Sequence, residues 1–379
     1  VTRDDVTPRT QAGILGCSRE PKSHTSVAIR MQPKRSTGFT ISLIYRKHGY
    51  LPQGSTVLLP KGKLVSDLRR KLFDRNLPVA PRPLLVTFGR RTLAVSVDPV
   101  VGVPLDSYGF FAFHYSASDV AVLGAIPRYL LLDICYPEGT DARWLRRTGR
   151  TIGSEARKFG VEVLGGHTGG YDGLNLPIIS STCIGTARNK EILDPRKVRV
   201  GSRILVAGRL CLESAWLISR VSPDLADKEL GRAAAVRLRG ALQQLTVVKP
   251  ALVARQLGAT FLHDISEGGL SASLHEVARA TSKSSLVDLN TVPLDEDAFQ
   301  LVSSLGEDPY SASSFGALLI VSPRDKTDQI LRGMRQLGEP VAECGSLRRG
   351  SGVYVISQRR KRKMAQLPDL YRRFSSRIR

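Results

Sequence analysis

Past residue 50 the chain alternates between short apolar runs and stretches in which apolar residues return every three or four positions. These are the signatures of buried strands and of helices with one apolar face. Leu64, Leu68 and Leu72 predict a helix after Lys61-Gly62-Lys63. Leu93 to Asp98 predicts a strand ending on an acid, Phe111 to Leu123 a helix stopped by Pro127, and Tyr129 to Cys135 a second strand. Leu145, Thr148, Ile152, Ala156 and Phe159 predict a clear helix, which feeds a strand at Val161–Leu164 and then a glycine loop. Pro177 to Thr186 returns as a strand. Beyond a charged stretch at 194–201, strands are predicted at 203–207, 260–263, near 286, at 315–321 and at 353–356. Helices are predicted at 212–221, 232–245, from 270 to 281, and near 297 and 325. Residues 1–50 are polar and weakly periodic, and read as a poorly ordered leader. The organisation expected is therefore a leader (1–50), one domain over 51–198, a second over 199–357, and a basic tail over 358–379. Strands and helices mixed in both halves argue for two α+β domains.

Two stretches carry candidate chemistry. Ser118-Asp-Val-Ala-Val-Leu-Gly-Ala-Ile-Pro127 places Asp119 at the head of a short apolar helix. Val163-Leu-Gly-Gly-His-Thr-Gly-Gly170 is a glycine cluster after a strand, where bare backbone N–H groups can approach an anion. Metal-bridged polyphosphates need hard oxygen ligands on the cation and donors on the phosphate oxygens. Asp98 and Asp119 suit the first role, catalytic and metal-ligating. Gly165, Gly166 and Thr168 suit the second. His167 is a candidate for proton transfer, and Lys63 for reaching a phosphate. In the second half, His263-Asp-Ile-Ser-Glu-Gly-Gly-Leu270 opens a helix, with Ser266 as cap and Glu267 favoured by the dipole. No G-x-x-x-x-G-K-[ST] loop and no G-x-G-x-x-G is present, which argues against a P-loop or a dinucleotide fold.

Composition narrows the classes. A 379-residue chain with 42% hydrophobic and 24% charged residues is expected to fold. No apolar run approaches the roughly 18 residues that span a bilayer, so the expectation is a soluble, cytoplasmic protein without a membrane partner. Five scattered cysteines exclude a disulfide framework or zinc knuckle as the organising feature, and Cys135 and Cys183 read as core. The net charge of +22 invites an anionic partner. Much of that excess sits in the terminal run from Arg359, and a basic tail is more often solvated than a specific reader, so nucleic acid ranks low among partners.

Five of these segments, in register, resemble the PurM-like superfamily of ATP-dependent enzymes. That superfamily includes aminoimidazole ribonucleotide (AIR) synthetase, selenophosphate synthetase, thiamine-monophosphate kinase and the hydrogenase maturation factor HypE. Ser96-Val-Asp-Pro-Val-Val-Gly102 is similar to its first acidic strand, and Ser118 to Pro127 to its N/S-D-x-A-x-x-G-A-x-P helix. Leu164-Gly-Gly-His-Thr168 is similar to its G-G-x-T loop, His263 to Leu270 to its H-D-P-T-E-G-G-L element, and Gly306-Glu-Asp-Pro309 with Ser314 to Ile320 to a D-P…S-x-G-x-L-L passage. The resemblance covers about residues 55 to 357. It implies an N-terminal mixed-sheet domain that dimerises and a C-terminal α/β sandwich. It also implies ATP as cofactor with Mg2+ held by Asp98 and Asp119, and phosphoryl transfer that activates a carbonyl, amide or phosphate oxygen of a small molecule or protein group. For Asp264 and Glu267 the resemblance implies, instead of a plain helix start, that both face the same cleft as metal or substrate contacts.

The sequence departs from the pattern at two places. The acidic G-D/E-D-A cluster that precedes the first acidic strand is replaced by Val79-Ala-Pro-Arg-Pro-Leu-Leu-Val-Thr-Phe-Gly89, without a carboxylate. The chain closes on Ser376-Arg-Ile-Arg379 where HypE carries a carbamoyl-accepting cysteine, so the HypE reaction on its own C-terminus is not expected. Beside the AIR synthase-related or HypE-like enzyme stand two further readings: a non-catalytic homologue serving as nucleotide-binding or scaffold module, and a nucleic-acid-associated protein using its basic ends.

Overall fold

The computed structural model of the chain describes residues 26–33, 39–46, 84–88, 90–357 and 360–365. They belong to two compact units, residues 1–79 and 80–379. In the first, β1 (Ser26–Pro33) and β2 (Phe39–Arg46) form an antiparallel hairpin, with Val27 opposite Tyr45 and Ile29 opposite Leu43. The expected leader thus holds regular structure. Its apolar residues recur at the strand period of two, a pattern that a search for helical periodicity passes over. Lys63 and the helix expected at Leu64–Leu72 lie outside the described residues.

The second unit is built on two sheets. The five-stranded sheet has the order β3-β4-β7-β5-β6, from β3 (Leu84–Phe88), β4 (Arg91–Val100), β5 (Ile126–Pro137), β6 (Glu162–Tyr171) and β7 (Ile178–Arg188). Only the β5–β6 pair is parallel. Burial alternates along β4 and β7: Thr92, Ala94, Ser96 and Val100, with Ile179, Ser181 and Cys183, turn to a helical layer. That layer consists of the helices Tyr108–Val122 and Ala142–Lys158.

The seven-stranded sheet has the order β14-β13-β10-β12-β8-β11-β9. Its strands are β8 (Arg203–Ala207), β9 (Phe261–Asp264), β10 (Ser284–Asp288), β11 (Leu318–Ser322), β12 (Val341–Arg348), β13 (Val353–Ser357) and β14 (Arg360–Lys363). The helices Val248–Gln256, Gly269–Thr281 and Thr327–Gln336 pack against it. The helices Leu212–Val221, Pro223–Leu230, Arg232–Arg239 and Glu296–Ser304 gather into a separate cluster.

The Tyr108–Val122 helix joins the two halves. It touches β4, β5 and β7 on one side, and β9 and the Val248–Gln256 helix on the other. This explains a sequence that is apolar around most of its circumference. Phe110, Phe111 and Phe113 are all buried, and each such side chain contributes about 1.5–3 kcal/mol relative to exposure. Polar ties cross the same joint. The Tyr115 hydroxyl donates to Glu213 Oε1 at 3.2 Å, His114 Nδ1 lies 2.7 Å from Thr246 Oγ1, and Arg220 donates to both Asp106 oxygens at 2.8 Å.

Three expectations need correcting. The glycine cluster is not a loop, because β6 runs through it as one strand from Glu162 to Tyr171. Cys135 is half-buried, not core: it lies on the sheet face away from the helices, its Sγ 3.6 Å from Asp133 Oδ1. Part of the basic tail is structured, since Arg360–Lys363 forms the edge strand β14 against β13. No described helix is long and apolar enough to cross a membrane.

Candidate functional site

Ser96 and Asp98 lie two residues apart on β4, and so point to the same side of the sheet, toward the Tyr108–Val122 helix. Ser96 Oγ donates to Asp119 Oδ2 on that helix at 2.6 Å, and Asp98 and Asp119 meet side chain to side chain. The third acid arrives from the other half: Asp264 ends β9, which packs on the same helix, and its charge acts on Asp119. Three carboxylates from three separate segments therefore converge.

Asp119 sits in the last turn of its helix rather than at the head, which corrects the sequence expectation. The difference reverses the electrostatics, because a helix C-terminus is the negative end of the dipole and disfavours a nearby carboxylate. Gly124 ends the run with φ +86°, and a Cβ there would fall 2.5 Å from the Glu191 carbonyl oxygen.

Burial drives the Asp119 carboxyl well above the usual carboxylate range, and the neighbouring charges of Asp98 and Asp264 add to it, against the opposing hydrogen bond from Ser96. The same environment pushes the Cys183 thiol, opposite Ser96 in the sheet, up to about 12, mainly through burial, so it is no nucleophile. The hydroxyl of Ser118, beside Asp119 in the chain, is buried with no hydrogen-bond partner.

The glycine run stands apart from these acids within one chain. The register places Asp98, Ser181, Leu132 and Gly166 in one row across β4, β7, β5 and β6. Three inter-strand steps separate Asp98 from Gly166, about 14 Å, so the two cannot grip the same phosphate. Gly166 and Thr168 share the helix-facing side with Asp98. His167 does not: it pairs with Asp133 on the opposite face, where its Nε2 lies 2.8 Å from the Tyr171 hydroxyl.

Gly166 has a packing reason of its own. Its φ is +150°, and a Cβ would fall 1.7 Å from the Leu132 carbonyl oxygen, beside an irregularity in the β5–β6 register. The strand needs glycine there whether or not a phosphate binds.

The turn after Asp264 also differs from expectation. Ser266 does not cap the following helix, which begins at Gly269 behind Gly268 (φ +79°). Both glycines are required, since a Cβ on Gly269 would meet the Tyr310 and Ala312 carbonyls at 2.7 and 2.5 Å. Glu267 is exposed in this turn.

Sequence reasoning overlooked two groups. Ser96, which orients Asp119, was within reach, because it lies one strand repeat before Asp98. Glu213 was not, since only the folded chain brings it to Tyr115, Ser313 Oγ and the Phe315 N–H.

Among the described residues no group of three or more His, Cys, Asp and Glu side chains closes into a metal-binding cage. The donor set nevertheless fits a hard divalent cation. Two touching carboxylates with a third acid nearby need a proton or a cation to offset their charge, and Mg2+ at phosphate sites takes one or two carboxylates and completes its shell from phosphate and water.

Known proteins carry the same arrangement of domains. Residues 84–187 match the family model of the AIR synthase related protein N-terminal domain, and residues 199–358 that of its C-terminal domain. The chain is 26% identical to the carbamoyl dehydratase HypE of Bradyrhizobium diazoefficiens over 264 residues, 67% of this chain and 73% of that protein. A solved structure of the hydrogenase maturation protein HypE in complex with ATP superimposes with a TM-score of 0.65 at 23% identity, over 82% of this chain and 97% of that one. AaThiL complexed with AMPPCP and TMP superimposes with a TM-score of 0.63 at 19% identity, over 77% and 92%. The chain belongs to the AIR synthase related family and has its two-domain, PurM-like fold.

Proposed function

We propose that this protein is an ATP-dependent enzyme that uses Mg-ATP to phosphorylate, and so activate, a carbonyl, amide or phosphate oxygen of its substrate. The observation that carries this reading is the convergence of Asp98, Asp119 and Asp264. It is supported by the relatives solved with ATP and with AMPPCP. Asp98 and Asp119 would hold the cation, and bound Mg2+ would supply charge neutralisation on the phosphate oxygens. Desolvation and the neighbouring acids favour the protonated form of Asp119, so a bound cation would compete with a proton for its carboxyl. Ser96 fixes which oxygen of Asp119 is engaged by donating to Oδ2. Asp264 brings the second half of the molecule to the same point, so positioning and charge do most of the work. Thr168 and Gly166, on the same face but a few strands away, would meet a more distant part of a nucleotide. The test is Mg2+-dependent ADP release by the purified chain. Release that survives Asp119→Asn unchanged contradicts the assignment.

A pH dependence follows with a definite sign. The raised Asp119 carboxyl must lose its proton to bind a cation, so Mg2+ affinity should rise with pH and level off only once Asp119 is ionised in the free protein. Calorimetric titrations in buffers of different ionisation enthalpy should show proton release on binding, and Asp119→Asn should remove it.

We further propose that the five-stranded sheet pairs with a second copy through its face away from the helices. Nothing among the described residues covers that face, and Val97, Tyr129 and Tyr171 are exposed on it at 58%, 39% and 43%. Val97→Asp should shift the protein from dimer to monomer in light scattering, with its circular dichroism spectrum retained. A variant that stays dimeric would place the interface elsewhere.

A further inference from the structure

The Ala142–Lys158 helix carries a charge pattern that the site above leaves unexplained. Arg143, Arg146, Arg147, Arg150 and Arg157 are all exposed. At 100° per residue they fall within an arc of about 100°, and at 1.5 Å per residue they extend about 21 Å along the axis. The helix has one acid, Glu155, which is buried and turned inward to His114 and Lys158. None of the five arginines makes an ion pair with another described residue.

This stripe works against the helix that bears it. Arg143 with Arg146 and Arg147, and Arg150 with Arg146 and Arg147, are like-charge pairs at three- or four-residue spacing, which destabilise a helix. Arg143 also stands in the first turn, at the positive end of the dipole. A local arrangement that opposes folding without an internal partner is what a functional surface looks like.

We propose that this arginine stripe docks the phosphate backbone of a nucleic-acid strand. Within the arc of the arginines the helix offers only Ser154, and Gly153 borders it, with no apolar side chain. A protein partner would need an apolar centre to bury, whereas a polyanion needs only cations in a row. Guanidinium groups engage phosphate through two parallel hydrogen bonds. The nearby aromatic, Trp144, is committed elsewhere: its indole N–H donates to the Leu105 carbonyl at 2.8 Å and its ring packs edge-on against Tyr108. Without a stacking platform the binding reads backbone rather than bases, and is independent of sequence. The stripe is separate from the expected basic tail and independent of the ATP reading.

The test is anisotropy of a fluorescein-labelled single-stranded RNA titrated with the full chain between about 50 and 200 mM salt. The triple variant Arg146→Gln, Arg147→Gln and Arg150→Gln should weaken binding and lower the slope of log K against log salt by about 2, from roughly 0.7 per lost phosphate contact. A control removing the same charge from β14 (Lys361→Gln, Arg362→Gln, Lys363→Gln) should leave that slope in place. ADP release by the stripe variant should match the unsubstituted chain, which separates this proposal from the nucleotide site. Three results overturn it: no RNA binding at the lowest salt, equal losses in both triple variants, or poly-glutamate displacing the RNA at equal charge concentration, which assigns the stripe to an acidic polypeptide.

Discussion

Asp119→Asn should sharply reduce ATP turnover and at the same time raise the melting temperature of the nucleotide-free protein. The activity loss follows from removing one of two carboxylates that touch each other, and is expected to reach about 100- to 1,000-fold in kcat/KM. The stability gain follows from the position of that carboxylate. It is half-buried in the last turn of a helix, in contact with Asp98 and within the field of Asp264. A carboxyl whose folded-state pKa is raised contributes most at low pH, and that contribution is lost as pH climbs through the raised value. Asparagine keeps a neutral side chain that can still accept from Ser96. The gain should therefore appear at neutral and alkaline pH and vanish in acid, with about 2–4 °C for each kcal/mol relieved in a domain of 150–250 residues. Thermal melts at two pH values, run beside the ADP-release assay, check both halves. A variant that is inactive and also destabilised at pH 8 would mean that Asp119 supports the fold rather than opposing it.

Gly166→Ala should unfold or severely destabilise the first sheet. The added methyl would stand 1.7 Å from the Leu132 carbonyl oxygen, and because β5 is held by β7 on its other side, relief would require the edge strand β6 to pull away. The backbone itself, at φ +150°, resists any side chain. Overpacking and strain together put the loss at about 3 kcal/mol or more. Gly165→Ala is the informative neighbour: it shares an unusual φ of +146° but has open space around its Cβ direction, so its loss should be the smaller. Denaturant melts of the two variants decide this. Equal, mild effects would mean that β5 and β6 do not approach as closely as described.

Much of the architecture was legible because the apolar pattern repeats at helical or strand period. The strand at 203–207 and the helix at 212–221 agree with the structure to the residue. What escaped depends on strand pairing, which residue type alone does not reveal. Arg360–Lys363 has no apolar pattern and becomes a strand only because β13 offers an open edge. The glycine cluster reads as a loop until its pairing with β5 is known. The site divides in the same way. Asp98, Asp119 and Asp264 were named from sequence and meet in space, whereas His167 was placed with them by adjacency to Gly166 and Thr168, and strand alternation sends it to the other face. A one-residue step decides the side in a strand, and a motif does not reveal whether its backbone is extended.

The most direct measurement is the anomalous scattering of Mn2+ in crystals grown with AMPPCP. The expected result is a metal peak within coordination distance of carboxylate oxygens of both Asp98 and Asp119. A peak bound elsewhere, with neither carboxylate in contact with the metal, would contradict it.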